Sequence, residues 1–290
     1  MFNFFKRLKA YAFPQKKFNK TGHFKRLDLL GLEERITPAS FVVSNLNDSG
    51  TGSLRQAIID ANNAGTDDTI TFSTTGTITL ASSLPAIVTA TTAGALNITG
   101  PGSTLLTISG NNKNLQVFNI SSGANLSFSG ITISGASTSF RGTIENSGTL
   151  SISDSTLSGN ASTSRGGAIF NGNGAFLSIA NSILSGNSSD RGGAICAYGT
   201  VTISNSILSG NTGGGNGTDN GGGAIYFKGT VYTSEILTIS NSTISGNKAT
   251  IGGGINSLGK LVMSNSTVSG NSATAGPGGG IRSSFDLTLS

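Results

Sequence analysis

Along the second half of the chain, apolar residues alternate with small polar ones inside an eleven-residue phrase written five times. It reads LSISDSTLSGN at 150–160, LSIANSILSGN at 177–187, VTISNSILSGN at 201–211, LTISNSTISGN at 237–247 and LVMSNSTVSGN at 261–271. Period-two alternation marks a strand with one buried face. Between Ile239 and Ile244, the run Ser240, Asn241, Ser242 and Thr243 suits a bend. Each copy therefore predicts two short strands around a corner. A second phrase supplies a third strand: GGAI at 166–169, 192–195 and 222–225, then GGI at 253–255 and 279–281. Its glycines permit backbone conformations and close approaches that other residues resist.

The closing asparagines lie 27, 24, 36 and 24 residues apart. Self-similarity at such a period predicts stacked coils. Three short parallel strands per coil describe an all-β fold, a right-handed parallel β-helix, with neighbouring coils roughly 4.8 Å apart. Ile169, Ile195, Ile225, Ile255 and Ile281 are expected to form one inward stack. Asn160, Asn187, Asn211, Asn247 and Asn271 are expected to form an amide ladder at one corner. Asp154, Asn181, Asn205, Asn241 and Asn265 are expected to form a second ladder at another. Stacked amides can hydrogen-bond along the axis and satisfy backbone groups at bends. A leucine-rich repeat would need L-x-x-L-x-L-x-x-N and a helix-capable half, which this spacing lacks. A left-handed hexapeptide helix would need a strict six-residue period, which is absent.

The first part of the chain reads differently. Phe41, Val42 and Val43 predict a strand, and 47–52 is a turn cluster. Ser53-Leu54-Arg55-Gln56 fits a capping box, with Ser53 as N-cap and Gln56 reaching back to its amide. Leu54, Ala57, Ile58 and Ala61 share one helical face, and Gly65 is expected to end the helix. This helix is expected to plug the N-terminal end of the solenoid, since an open end coil exposes backbone groups and apolar side chains. Residues 73–149 read as degenerate coils, with strands at Ile78/Leu80, Leu96/Ile98, Leu106/Ile108, Phe118/Ile120 and Leu126/Phe128, and Arg141–Ile144 as a decayed GGAI. The expected organisation is a basic leader at 1–39, a cap at 40–72 and coils at 73–290. Leu287–Ser290 begins another phrase, which suggests that further chain follows.

Composition sharpens this picture. Of 290 residues, 43 are Gly and none is Trp, and 11% are charged. Such a composition borders on that of disordered chains, but 36% apolar residues in register argue for packed coils. The single cysteine, Cys196, allows no intramolecular disulfide and reads as a small packing or surface residue. Residues 1–39 hold nine Lys/Arg against three acids, a charge of +6, while the rest sums to −1. The basic character thus belongs to the leader, which has neither alternation nor an ordinary signal-peptide apolar run. It reads as a targeting segment. Binding of DNA or acidic lipid through it is a third functional reading, with nucleic acid the disfavoured partner. No stretch approaches the roughly 20 apolar residues of a membrane helix.

Three resemblances follow from these motifs. The GGAI phrases with xSGN ends resemble polymorphic outer membrane protein repeats, although the Phe of that pattern is replaced here by Leu157, Leu184, Leu208, Ile244 and Val268. DSGTGSLRQAI at 48–58 is similar to the CSLREAI-type motif that precedes many bacterial extracellular β-helices, with Gly52 in place of its Cys. LLGLEERITPA at 29–39 resembles the leader of large planctomycete surface proteins. Together they imply export to the cell surface, outer membrane or medium.

Candidate chemistry is sparse. From residue 73 on, the acids are Glu145, Asp154, Asp190, Asp219, Glu235 and Asp286, and no two occupy one position in adjacent coils. Asp154 reads as a ladder variant, and Asp190 as the partner of Arg191 in a surface ion pair. His23, the only histidine, lies in the leader, so histidine triads and histidine metal sites in the body are excluded. No cofactor is expected. The one calcium candidate, GGNGTD at 214–219 ending in Asp219, is a single copy of a motif that needs tandem copies, and reads more simply as a loop. The leading expectation is a secreted or surface-displayed β-helix, structural, adhesive or passenger in role and not catalytic. Its expected partners are cell-surface glycans or proteins. The alternative is a polysaccharide lyase or glycoside hydrolase whose catalytic acids lie outside this chain.

Overall fold

Stacked parallel strands dominate the computed structural model, which describes residues 38–64, 66–88, 94–139, 141–215, 221–229 and 235–290. The basic leader up to residue 37 and Gly65 lie outside the described residues. The chain is a parallel β-solenoid of about nine turns with one short helix. Among the described residues every strand pair is parallel, and four sheets run along the axis, with ten, eight, seven and six strands. The expectation of three strands per coil is corrected to four. After each closing asparagine, a further two-residue strand, such as Ala161–Ser162 or Lys248–Ala249, adds a narrow fourth face. Its inward residues are small (Thr138, Ser162, Ser189, Ala249) and carry no apolar signal that alternation could reveal.

Identical residues meet across coils because side chains alternate with period two and register is fixed by the buried face. In the seven-stranded sheet, Ile144 pairs with Ile169, Ile169 with Ile195, Ile195 with Ile225, Ile225 with Ile255 and Ile255 with Ile281. All are fully buried except Ile281, which is partly buried in the last such strand. Burial of each such side chain is worth about 1.5–3 kcal/mol. The ten-stranded sheet stacks Leu150, Leu177, Val201, Leu237 and Leu261 in the same way. The coil spanning the 36-residue interval keeps this register, with Val201 opposite Leu237 and Asn211 hydrogen-bonded to Asn247.

Corners carry the polar part of the core. Asn160, Asn187, Asn211 and Asn247 are buried and Asn271 partly so. Asn187 shows the pattern. Its Nδ2 donates to Asn211 Oδ1 at 3.0 Å and to the Leu157 carbonyl at 3.0 Å. Its Oδ1 accepts from the backbone N–H of Asn160 at 3.0 Å and from Asn160 Nδ2 at 3.2 Å. Both protons and both lone pairs of the amide are used. The same bonds join Asn211 to Asn247 and Asn247 to Asn271.

The second expected ladder is not one. Asp154, Asn181, Asn205, Asn241 and Asn265 are exposed, and their φ angles lie between 46° and 50°. They are left-handed corner residues, a conformation Asn and Asp tolerate better than other side chains. That backbone turns the side chain out to solvent, so the hydrogen-bonded row falls one residue later. Ser155, Ser182, Ser206 and Ser242 each donate their backbone N–H to the hydroxyl of the serine in the next coil, at 3.1–3.2 Å, ending on Ser266. Each of these hydroxyls donates in turn to the carbonyl two residues before it.

The N-terminal helix, Leu54–Ala64, buries Leu54, Ala57, Ile58 and Ala61. These side chains join Val43 and Ile70 in the core that continues through the coils, so cap and solenoid share one interior. Ser53 Oγ accepts from the Gln56 N–H at 3.2 Å, as an N-cap should. The return half of the capping box is absent: Gln56 Nε2 donates to Asp60 Oδ1 instead, and the Ser53 N–H is taken by the Gly50 carbonyl. Arg55 is the tie between helix and coils. It donates to Asp48 Oδ1 at 2.8 Å, to the Asp48 carbonyl, and to the carbonyls of Ser82 and Ser83. Burial alone would raise the Asp48 carboxyl, but the Ala81 amide and Arg55 outweigh it and hold it below its ordinary value.

The two corners predict opposite responses to mutation. Asn211→Ala removes a ladder rung and strands buried groups, at about 1–3 kcal/mol for each. Asn205→Gly keeps the left-handed turn and should change stability by less than about 0.5 kcal/mol. Urea denaturation midpoints of the two variants check this, and equal losses would contradict the assignment of the two rows.

Candidate ligand groove

Outward positions of the seven-stranded sheet carry the chain's least uniform residues. The central residue of successive strands runs Glu145, Phe170, Cys196, Tyr226, Asn256, Arg282. Although they face away from the main core, Phe170, Cys196 and Tyr226 are buried, forming a second hydrophobic cluster with Tyr198 and Leu258 packed against it. The rings of Phe170 and Tyr198 meet at 5.8 Å, and those of Tyr198 and Tyr226 at 6.5 Å.

Three arginines border this cluster from consecutive coils. Arg141 pairs in parallel register with Arg165, and Arg165 with Arg191. Each precedes a glycine that turns the chain into the next strand. Gly192, at φ 66°, has no room for a Cβ, which would lie 1.8 Å from the Ile195 carbonyl oxygen. The turn is tied from inside by the small fourth face. Ser162 Oγ accepts from the Arg165 N–H, and Ser189 Oγ donates to the Arg191 and Gly192 carbonyls. The guanidinium of Arg141 lies 4.9 Å from the Phe170 ring centre, that of Arg165 5.5 Å from Tyr198, and that of Arg191 6.0 Å from Tyr226. Cation–π attraction at these distances holds the guanidinium groups against the rings. Glu145 forms an ion pair with Arg141 and accepts from Gln116 Nε2 at 2.9 Å. A groove of about 200 Å³ runs beside them, lined by Arg141, Ser147, Arg165, Phe170, Asn173 and Tyr198.

The isoleucine stack and the first asparagine ladder are brought together as described above, whereas the second expected ladder is not formed and the candidate acids do not converge. Asp154 is exposed at the left-handed corner. Asp190 is exposed, and the Arg191 side chain turns to Tyr198 and Tyr226. Asp219 lies outside the described residues. Among the described residues no cluster of His, Cys, Asp and Glu has the composition of a metal site, and no helix is long and apolar enough to cross a membrane. Sequence reading missed the arginine column, although its signal is present: Arg precedes Gly at 141, 165 and 191. The aromatic cluster has no comparable signal, because its members occupy one column as Phe, Cys and Tyr.

Compared with known proteins, the chain matches no family model and no curated protein sequence. The class that fold and groove define is a parallel β-solenoid with an N-terminal helical cap and an arginine-lined outer face. Likeness to outer membrane repeats, to the extracellular cap motif and to the surface-protein leader rests on the motif residues alone.

Cys196 gives a direct check on the second cluster. Complete burial pushes its thiol up to about 12, with Arg165 and Arg191 pulling weakly the other way. The folded thiol therefore stays protonated where an unfolded one ionises, near 9.0. Its contribution to stability is full below pH 9 and is lost as pH rises from there towards 12. In the native protein at pH 8, a thiol-specific aromatic disulfide should leave Cys196 unlabelled, and denaturant should release one equivalent. Rapid native labelling would contradict the packing.

Proposed function

We propose that this chain is a secreted or cell-surface β-helix that serves as a structural or adhesive element and performs no catalysis. The observation carrying this reading is the continuous column of amides from Asn160 to Asn271, buried as far as Asn247, with each rung bonded to the next. It gives a stiff support whose outward faces repeat small hydroxyl residues, such as Ser151, Ser178, Thr202 and Thr238 across the ten-stranded sheet. Those groups hydrogen-bond to sugars and proteins but titrate far from neutral pH. Acid–base cleavage needs groups converging on one bond, whereas Asp154 and Asp190 stand apart and Glu145 is held by Arg141. Export is supported by the leader and cap motifs described above.

Two measurements test the reading. Incubated with polygalacturonate, with and without Ca²⁺, the purified chain should release neither reducing ends nor unsaturated products. Turnover abolished by replacing Asp154, Asp190 or Asp219 would overturn the absence of catalysis. Protease added to intact cells producing the full-length protein should remove it, and full protection would overturn surface display.

A further inference from the structure

We infer that the arginine column is a binding site for an acidic polysaccharide carrying one carboxylate per sugar, lying along the solenoid axis. This deepens the adhesive reading and rests on it, because it takes the chain to bind a glycan without cutting it. Three observations point to this class. First, Arg141, Arg165 and Arg191 occupy one position on consecutive coils. The column therefore repeats at roughly the 4.8 Å strand spacing, about the length of one pyranose unit. Second, the guanidinium groups are held against Phe170, Tyr198 and Tyr226. A planar fork fixed in this way matches a planar carboxylate in two-point hydrogen bonding and loses little freedom on binding. Third, the groove beside them is lined by Ser147 and Asn173, which suit sugar hydroxyls. Arg141 and Arg165 line the groove and Arg191 stands against the same aromatic cluster, while Glu145 pairs with Arg141.

Single-stranded nucleic acid fits less well. It needs open aromatic faces for base stacking, and Phe170 and Tyr226 are 5% and 2% exposed, with arginines against them. The rings orient the cations and are not a platform for the ligand.

The test is binding of fluorescent oligogalacturonate to the full chain, followed by anisotropy at low salt, with product release assayed in the same samples. Arg165→Gln and Arg191→Gln should each weaken binding about tenfold, the scale of losing a hydrogen-bonded ion pair. Arg165→Lys, which keeps charge but loses the fork, should fall between wild type and Arg165→Gln. Lys260→Gln, exposed on the ten-stranded sheet, should bind as wild type. Circular dichroism and melting establish that each variant is folded. If a glutamine variant does not fold, Arg165→Lys and competition by neutral dextran decide in its place. Absence of binding, equal binding by the folded arginine variants, or full competition by neutral dextran would overturn the site. Tighter binding of dextran sulfate or oligo-dT at matched charge would overturn the carboxylate assignment. Product release with arginine-dependent binding would instead leave the site standing and overturn the non-catalytic reading.

Discussion

Each coil has to turn, and each turn brings backbone amides and carbonyls inside, away from water and beyond the reach of the sheets. Leaving such groups unpaired costs about 1–3 kcal/mol each. The buried asparagine solves this at one corner with a side chain that matches a peptide group in donors and acceptors. Asn187 serves the backbone of the preceding coil and its counterparts on either side at once. Serine solves the next corner with a hydroxyl, accepting from the coil before and donating within its own. The isoleucine stacks fill the space that these corners enclose. Apolar burial drives the coils together, but the corners decide where each residue lands.

The outer surface inherits its order from that interior. A residue one step beyond a fixed turn has no choice of position, so Arg141, Arg165 and Arg191 line up because Ser162, Ser189 and the following glycines fix the turns beneath them. The aromatic cluster then adds a second, shallow core outside the sheet. A charged row on flexible loops would lose side-chain and backbone entropy on engaging a ligand. Here much of that loss is already met in folding.

Much of the fold was legible because it is written several times. Alternation gave the strands, and repetition of Asn at one spacing marked a position that only stacking explains. The fourth strand escaped because Ser162 and Ser189 are buried without being apolar. The outward corner escaped because Asn181 and Asn187 look alike in sequence and differ only in φ. One is left-handed and solvated, the other has no positive φ and is buried. The groove was legible only in part. The recurrence of Arg before Gly is a pattern, but the packing of Phe170, Tyr198 and Tyr226 depends on which coils are neighbours. The cap showed the same mixture: Ser53 acts as its motif suggests, while Gln56 finds a closer partner in Asp60.

The register across the long 36-residue interval has a wider consequence. Val201 still meets Leu237 and Asn211 still meets Asn247, as though the extra residues were not there. Length along the axis and bulk beside it are therefore independent variables in this architecture. Adding a repeat extends the shaft by one step. Adding residues at a corner hangs a new element from the side and leaves every neighbour in place. Such a scaffold can change what it displays without relearning how to fold.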